Sequence, residues 1–329
     1  MKVYSERGYI NWVSWGAIFE WEDSFAKEWG TEVECIRNNF FDRIARRLKF
    51  YIHKLFPKVV FSKYRITDES KMGVLIIMDA EGYYMIPTGN IIPIYLDFSR
   101  DMVDTILKAT EDLPAFFVAS KDIYNDLKER GCRNVYFISQ CVSDQYYSDT
   151  VPEKKLDVVQ IGRKNPVLHE YMLRYSKEHP GVEYIYQSAD ASLSYISTTR
   201  GNIGSLEGRT DFLDVLRSAR VSLVSSPKCD GSRDVFGGAD LITARFYESA
   251  VMYCHMIGRY TDNEESRELE LDKVCPNVRD YSEFEALVDR YLDDTDYDWK
   301  AYREFIMRNL ASARAGYIKD CIVGRGNEG

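Results

Sequence analysis

Apolar and polar positions follow two rhythms along this chain. Short runs rich in β-branched, Leu and aromatic residues occur at 9–14, 31–36, 74–78, 91–96, 115–119 and 135–138, and a second series follows at 156–161, 182–186, 221–225 and 255–257. Such runs predict strands. Between them, apolar residues recur at helical spacing over 17–29, 101–112, 121–130, 167–178, 210–219, 244–253, 282–292 and 297–318. Strands separated by single helices predict βαβ units and parallel sheets. The polar stretch Ser148-Asp149-Thr150-Val151-Pro152-Glu153-Lys154-Lys155 stands just before a new strand and predicts a boundary. The expected organisation is α/β: two Rossmann-like domains, 1–150 and 151–329, with the carboxyl ends of their strands facing a central cleft. No internal repeat or low-complexity tract interrupts the pattern.

Composition narrows the function classes. The length of 329 residues suits two domains, and 45% apolar with 29% charged residues is that of a folded chain. The net charge of −9 argues against a general nucleic-acid binder. The longest purely apolar run, Val74-Leu75-Ile76-Ile77-Met78, is far shorter than the roughly 20 residues of a membrane helix, and the amino-terminal residues lack the apolar core of a secretory signal. A cytoplasmic protein is expected. The seven cysteines form no C-x-x-C pair, and the four histidines are scattered, so reduced thiols and no metal site are expected.

The average charge hides two opposite blocks. Residues 36–66 carry nine Lys/Arg against one acid, Asp42, and residues 262–298 carry fourteen acids against four basic residues. Within the basic block, the stretch 38–56, opened by Asn38 and closed by Phe56, places Phe41, Ile44, Leu48, Tyr51, Ile52 and Leu55 at helical spacing. Arg43, Arg46, Arg47, Lys49 and Lys54 are interleaved. Basic amphipathic helices with aromatics lie on anionic membrane surfaces. A helix packed on the core with a solvated basic face, and a cradle for an acceptor's diphosphate, are the other readings of the same pattern.

Three nucleotide and hydrolase motifs are absent: G-x-G-x-x-G after the first strand, G-x-x-x-x-G-K-[ST], and G-x-S-x-G. The second half offers a different constellation. Its first strand runs into Gly162-Arg163-Lys164, which sets cations at a strand's carboxyl end. A later strand, Val221-Ser222-Leu223-Val224-Ser225, leads through Ser226-Pro227 into a loop holding Gly237-Gly238-Ala239-Asp240, and then into the helix around Thr243-Ala244-Arg245-Phe246-Tyr247-Glu248. A glycine turn feeding a helix N-terminus presents free N–H groups and a positive dipole end to phosphate oxygens. Arg163 can add a bidentate clamp, and an acid one turn into the helix can accept from a ribose diol. Arg245 either enters the ligand cleft or supports Glu248 one turn on.

The order of these motifs resembles the nucleotide-sugar half of GT-B glycosyltransferases, group 1, of the bacterial polysaccharide type. That family brackets donor sugar and ribose with E-x7-E. Here the matching spacing is Asp240-x7-Glu248, with Asp in the first place, and Ile138-Ser139-Gln140-Cys141-Val142-Ser143-Asp144 is similar to the interdomain segment with its glycine replaced. Lys164 follows Arg163 directly, where the family spaces its basic pair.

The resemblance implies a GT-B enzyme, a retaining hexosyltransferase in capsule, O-antigen or similar polysaccharide biosynthesis. It implies a nucleotide-diphosphate sugar donor on the C-terminal domain, held by Arg163, Lys164, Gly237, Gly238, Arg245 and Glu248. Asp240 would meet the sugar. Asp97, after the run 91–96, would meet a saccharide or lipid-linked acceptor on the N-terminal domain as contact or base, or serve as a turn residue. No cofactor or metal is implied, and the protein would work in the cytoplasm or peripherally at the membrane's inner face, through 38–56. A nucleotide-sugar epimerase of the same fold and a non-catalytic sugar-nucleotide-binding homologue are the alternatives.

Overall fold

Twelve elements build the first part of the chain: β1 (Lys2–Ser5), α1 (Gly16–Glu28), β2 (Val33–Cys35), α2 (Phe40–Leu55), β3 (Phe61–Ile66), β4 (Gly73–Ile77), β5 (Met85–Gly89), β6 (Ile91–Tyr95), α3 (Val103–Thr110), β7 (Phe116–Val118), α4 (Lys121–Glu129) and β8 (Val135–Phe137). Then follow β9 (Leu156–Gln160), α5 (Pro166–Glu178), β10 (Tyr184–Gln187), β11 (Ser194–Ser197), β12 (Gly201–Ser205), α6 (Arg209–Ser218), β13 (Ala219–Ser225), α7 (Ala244–Val251), β14 (His255–Arg259), α8 (Glu264–Glu268), α9 (Tyr281–Asp293), α10 (Lys300–Arg308) and α11 (Ala311–Gly324). This computed structural model describes residues 1–8, 10, 15–36, 40–56, 59, 61–66, 69–78, 85–188, 193–231, 237–294 and 296–324. Apart from Ile10, the expected strand 9–14 lies outside them.

The chain divides into two compact units. The first takes the described residues of Met1–Ser143, Val235–Leu241 and Ala311–Gly329; the second takes those of Asp144–Asp234 and Ile242–Leu310. The first sheet has the order β2-β1-β4-β6-β7-β8 and is parallel throughout. Every residue of β4 and β6 is buried, which is why these strands read as unbroken apolar runs instead of alternating ones. The second sheet has the order β12-β11-β10-β9-β13-β14. Its centre is parallel, and β11 and β12 extend it as an antiparallel edge. β3 and β5 pair separately.

Two features depart from the sequence pattern. The helix expected over 297–318 is two helices, α10 and α11, and they belong to different units. Asn309 closes α10 by donating from Nδ2 to the Phe305 carbonyl at 2.7 Å. α11 packs in the first unit along α1, where Trp29 Nε1 donates to the Ala315 carbonyl at 3.1 Å. The second departure is Ala239 and Leu241, both 1% exposed. They are not turn residues in solvent but members of the first unit's core, alongside Leu75, Phe116 and Val118.

α2 turns its apolar side outward. None of its residues is buried, and Phe41, Ile44, Leu48, Tyr51 and Leu55 are 52–78% exposed. Arg46, Lys49, Ile52 and His53 are the half-buried ones. Lys49 lies over the Phe61 ring at 5.8 Å, and His53 Nδ1 is 3.0 Å from the Val59 carbonyl. The core-packed reading of this stretch is therefore not what the fold uses. Among the described residues no helix is long and apolar enough to cross a membrane.

Candidate functional site

In the second sheet the chain order reverses between β9 and β13, and such a switch point places a ligand crevice outside the strands' carboxyl ends. β9 ends at Gln160, and the chain turns at Gly162, whose φ of +78° suits glycine. The Gly162 N–H donates to the Tyr195 hydroxyl at 3.2 Å. Arg163 is exposed on this turn, and the Lys164 ammonium stands 5.0 Å from the Tyr186 ring centroid. Asn165 then caps α5, accepting from the Leu168 N–H at 2.9 Å while its Nδ2 donates to Asp230 Oδ2 at 2.8 Å.

Asp230 follows β13, and Arg259, at the end of β14, grips it with two bonds of 2.5 and 2.6 Å. The hydrogen bond from Arg259, with that from Asn165, holds the Asp230 carboxyl below its ordinary range despite burial. Three strand ends are thereby braced by one carboxylate.

Beside this turn lies a triad, two half-buried arginines on a buried carboxylate, that joins α6 to α7. Glu248 is 3% exposed. Arg209 Nη1 donates to its Oε1, and Arg245 Nη1 stands 2.9 Å from its Oε2. Both guanidinium groups lie over the Phe212 ring, at 5.1 Å for Arg209 and 4.2 Å for Arg245. Burial pushes the Glu248 carboxyl up, but the fields of Arg245 and then Arg209 outweigh it and leave the group below its usual range. Arg245 points back at the turn: its Nη2 is 3.3 Å from where a Cβ on Gly162 would stand. Arg245 Nη1 is occluded from solvent, and its contact with Glu248 Oε2 is an ion pair without hydrogen-bond alignment.

The structure therefore gathers Arg245, Glu248 and the Gly162–Lys164 turn in the second unit. The other residues singled out in the sequence belong to the first. Asp97 is half-buried just after β6. Gly237 and Gly238 have φ of +60° and +81°, and a Cβ on Gly237 would come within 3.2 Å of Arg100 Cβ and Ser99 Oγ. Asp240 is 1% exposed; its N–H donates to Asp122 Oδ2 at 3.0 Å, and its carbonyl accepts from Ser120 Oγ at 2.7 Å. The two acids at the x7 spacing thus sit in different units. Arg209 is the residue that the sequence reading missed.

No protein-family model matches the sequence, and no curated protein matches it. Solved structures do match by shape. AviGT4, a glycosyltransferase involved in avilamycin A biosynthesis, superposes with a TM-score of 0.53 at 14% identity, covering 93% of this chain and 88% of its own. TarM gives 0.52 at 12% identity over 84% of this chain, which spans 57% of TarM. A mutant of S. aureus TarM in complex with Fondaparinux, alpha-GlcNAc-glycerol and UDP gives 0.50 at 10% identity, over 84% of this chain and 58% of its own. The chain has the GT-B fold. At these identities the likeness carries the fold alone.

In the first half of this GT-B fold the sheet order reverses between β1 and β4, and a buried polar cluster occupies the end of β1. Ser5 Oγ donates to Glu22 Oε2 at 2.5 Å, and Arg7 reaches the same oxygen from Nη2 at 3.0 Å. Glu22 Oε1 is buried with no hydrogen-bond partner among the described residues. Burial, partly offset by Ser5 and Arg7, pushes this carboxyl from 4.5 up to about 7.

A folded-state pKa above the unfolded one means that the native state binds the proton more tightly. The contribution to stability is therefore full below about pH 4.5 and is lost as pH rises through about 7. Glu22→Gln abolishes that titration, so the stability of the variant relative to the parent should grow by ~3 kcal/mol between pH 4.5 and 8. Urea unfolding across this range measures it. Parallel pH profiles for the two proteins would contradict the assignment.

Proposed function

We propose that this protein is a glycosyltransferase that moves a sugar from a nucleotide-diphosphate sugar to a saccharide or lipid-linked saccharide in polysaccharide biosynthesis. The observation that carries the reading is the cationic group at the carboxyl end of β9. Arg245, Arg209, Arg163 and Lys164 stand against one buried carboxylate, at the switch point where an α/β sheet takes its ligand. A nucleoside diphosphate fits that charge. In the reaction the bond between the anomeric carbon and the β-phosphate oxygen breaks, the diphosphate leaves as an anion, and the acceptor hydroxyl loses its proton as the new glycosidic bond forms. Guanidinium groups fixed beforehand stabilise the leaving anion without reorganisation.

The second unit is the proposed donor side and the first the acceptor side, with Asp97 as acceptor contact or base and Asp240 as sugar contact in a retaining reaction. The outward apolar side of α2, flanked by cations, supports a place at the inner face of the cytoplasmic membrane, where lipid-linked acceptors reside.

Incubating the protein with UDP, GDP, ADP, CDP and dTDP sugars, with and without undecaprenyl-diphosphate saccharides, tests the reading. UDP sugars come first, because UDP is the nucleotide in the TarM mutant complex. Release of nucleoside diphosphate together with a glycosylated acceptor is the expected result. Isomerised donor without an acceptor would make it an epimerase, and donor binding without turnover would make it a non-catalytic homologue.

A further inference from the structure

We propose that Tyr195 is a phosphate-binding residue at the carboxyl end of β9: its hydroxyl accepts the Gly162 N–H and gives its own proton to a phosphate oxygen of the ligand. The inference rests on the donor-binding reading of the second unit, and it adds a residue that lies outside every motif read in the sequence.

Topology brings Tyr195 to this place. Tyr186 in β10 stands opposite Gln160, the last residue of β9, and Gln187 stands opposite Tyr195 in β11. Because β11 runs antiparallel to β10, it starts where the parallel strands end. Its first residues therefore border the crevice that the switch point creates. The β11–β12 register shifts between Tyr195 and Ile196, with Ile203 as the additional residue on β12. Bulges of this kind sharpen the local twist, and beside ligand sites they re-aim a side chain.

The surroundings of the hydroxyl say what it can do. The Gly162 N–H donates to it at 3.2 Å, which leaves the phenol proton still to be placed. Tyr195 is 3% exposed, and that proton meets no acceptor among the described residues. A buried donor without an acceptor is costly until a ligand supplies one. The turn is held from its other side as well. The Gln187 amide, oriented with its oxygen toward the Leu193 N–H at 3.2 Å, donates to the Gly162 carbonyl at 2.9 Å. Both polar backbone groups of Gly162 are thus tied to the β10–β11 edge, and its N–H reaches a ligand only through the Tyr195 hydroxyl.

The neighbouring charge selects an anion. Arg245 Nη2 is 3.3 Å from where a Cβ on Gly162 would stand, so guanidinium and hydroxyl converge on one residue. Burial lowers the Arg245 pKa, Glu248 raises it, Arg209 lowers it and Tyr195 raises it, which puts the Tyr195 oxygen within electrostatic reach of that guanidinium. An O–H donor beside a cation bonds a phosphate oxygen more strongly than a neutral hydroxyl. The N–H bond that Tyr195 accepts polarises its own O–H further.

The test is isothermal titration of the whole chain with inorganic pyrophosphate, with the nucleoside diphosphate that binds best among UDP, GDP, ADP, CDP and dTDP, and with its nucleoside. Tyr195→Phe keeps the ring and removes the hydroxyl. It should weaken pyrophosphate and the diphosphate by about ten- to a hundredfold and leave the nucleoside unchanged. A second variant separates ligand binding from support of the turn: Tyr195 replaced by a fluorinated tyrosine that ionises around neutrality, well below the roughly 10 of tyrosine itself. Its phenolate still accepts from Gly162, so the turn stays, but it has no proton to donate and it repels phosphate. Relative to the parent, pyrophosphate affinity of this protein should fall as pH rises through neutrality, with nucleoside affinity level.

Parental pyrophosphate affinity in Tyr195→Phe would overturn the proposal and leave the donor reading standing. An equal loss for nucleoside and diphosphate would do the same, because the contact would not be to phosphate. A loss in Tyr195→Phe without the added pH dependence in the fluorotyrosine protein would make the hydroxyl a support of the turn alone, and the proposal falls. Should Tyr195→Phe fail to fold, the fluorotyrosine protein decides by that same pH dependence. If the parent binds pyrophosphate but no nucleoside diphosphate, and both variants lose pyrophosphate as expected, the donor reading falls and Tyr195 keeps its role. If the parent binds neither, both fall.

Discussion

Purified protein should sediment with vesicles containing phosphatidylserine or cardiolipin, stay in solution with neutral phosphatidylcholine, and come off the acidic vesicles as salt rises. The expectation comes from how α2 is turned. With 3.6 residues per turn, Phe40, Tyr51, Ile44, Leu55, Leu48, Phe41, Ile52 and Ala45 fall within a helical arc of roughly 140°. Arg47, Lys54 and Arg43 follow on one side of the arc, and Lys49 on the other. Cations at both edges of an apolar face suit a helix lying in a headgroup layer, with rings and aliphatics below and ammonium and guanidinium groups reaching up.

A second copy of the same helix would be a poor partner, since α2 carries Asp42 alone against five Lys/Arg and like charges would meet. Replacing exposed Arg43, Arg47 and Lys54 by Glu removes three attractions worth about 1 kcal/mol each and adds three repulsions, so binding should fall by at least about a hundredfold. Phe41→Ser with Leu48→Ser should weaken binding even at low salt, since it removes the inserted groups themselves. Donor binding should survive both changes. Sedimentation that ignores salt and charge reversal alike would leave α2 without this role.

How far the sequence carried the fold depends on where each element is buried. β4, β6 and β7 are covered on both faces, and their apolar runs announced them. β1 has four residues, two of them Lys2 and Ser5, and its place inside the first sheet, next to the edge strand β2, comes from pairing with β2 and β4, which no local pattern records. β12, with the residues Gly-Asn-Ile-Gly-Ser and no buried position, gives no apolar signal at all. The stretch 297–318 keeps helical periodicity through the Asn309 cap, so two helices in two units read as one.

At the candidate site the same logic holds. Arg245 and Glu248 are one turn apart on α7, and their pairing is visible in the sequence. Arg209 lies 39 positions from Glu248 and is brought there by α6. The loop with Gly237, Gly238 and Asp240 reads locally as a turn feeding a helix, but Ala239 and Leu241 on either side of Asp240 are wanted by the first unit's core. Burial of those two apolar side chains outweighs the local turn signal.

Gly162→Ala should weaken binding of a nucleoside diphosphate by about ten- to a hundredfold while leaving its nucleoside nearly untouched, because the new methyl would push Arg245 off the turn. The added Cβ would stand 3.3 Å from Arg245 Nη2, a distance at which the neighbour has to give. That neighbour is the far end of a long side chain, so the fold absorbs the change and the guanidinium moves. Gly162 also has a φ of +78°, and a left-handed alanine costs of order 1–3 kcal/mol of stability by itself.

Gly201 separates the two effects. Its φ is +76°, and nothing lies within 4 Å of a Cβ built there, so Gly201→Ala carries the backbone strain without the steric push. The two variants should therefore lose similar stability in urea, and Gly162→Ala alone should lose diphosphate affinity. Adding Arg245→Ala to Gly162→Ala should then cost little more, since the guanidinium has already been displaced. Parental diphosphate affinity in Gly162→Ala, or an equal loss in Gly201→Ala, would remove Arg245 from the ligand site.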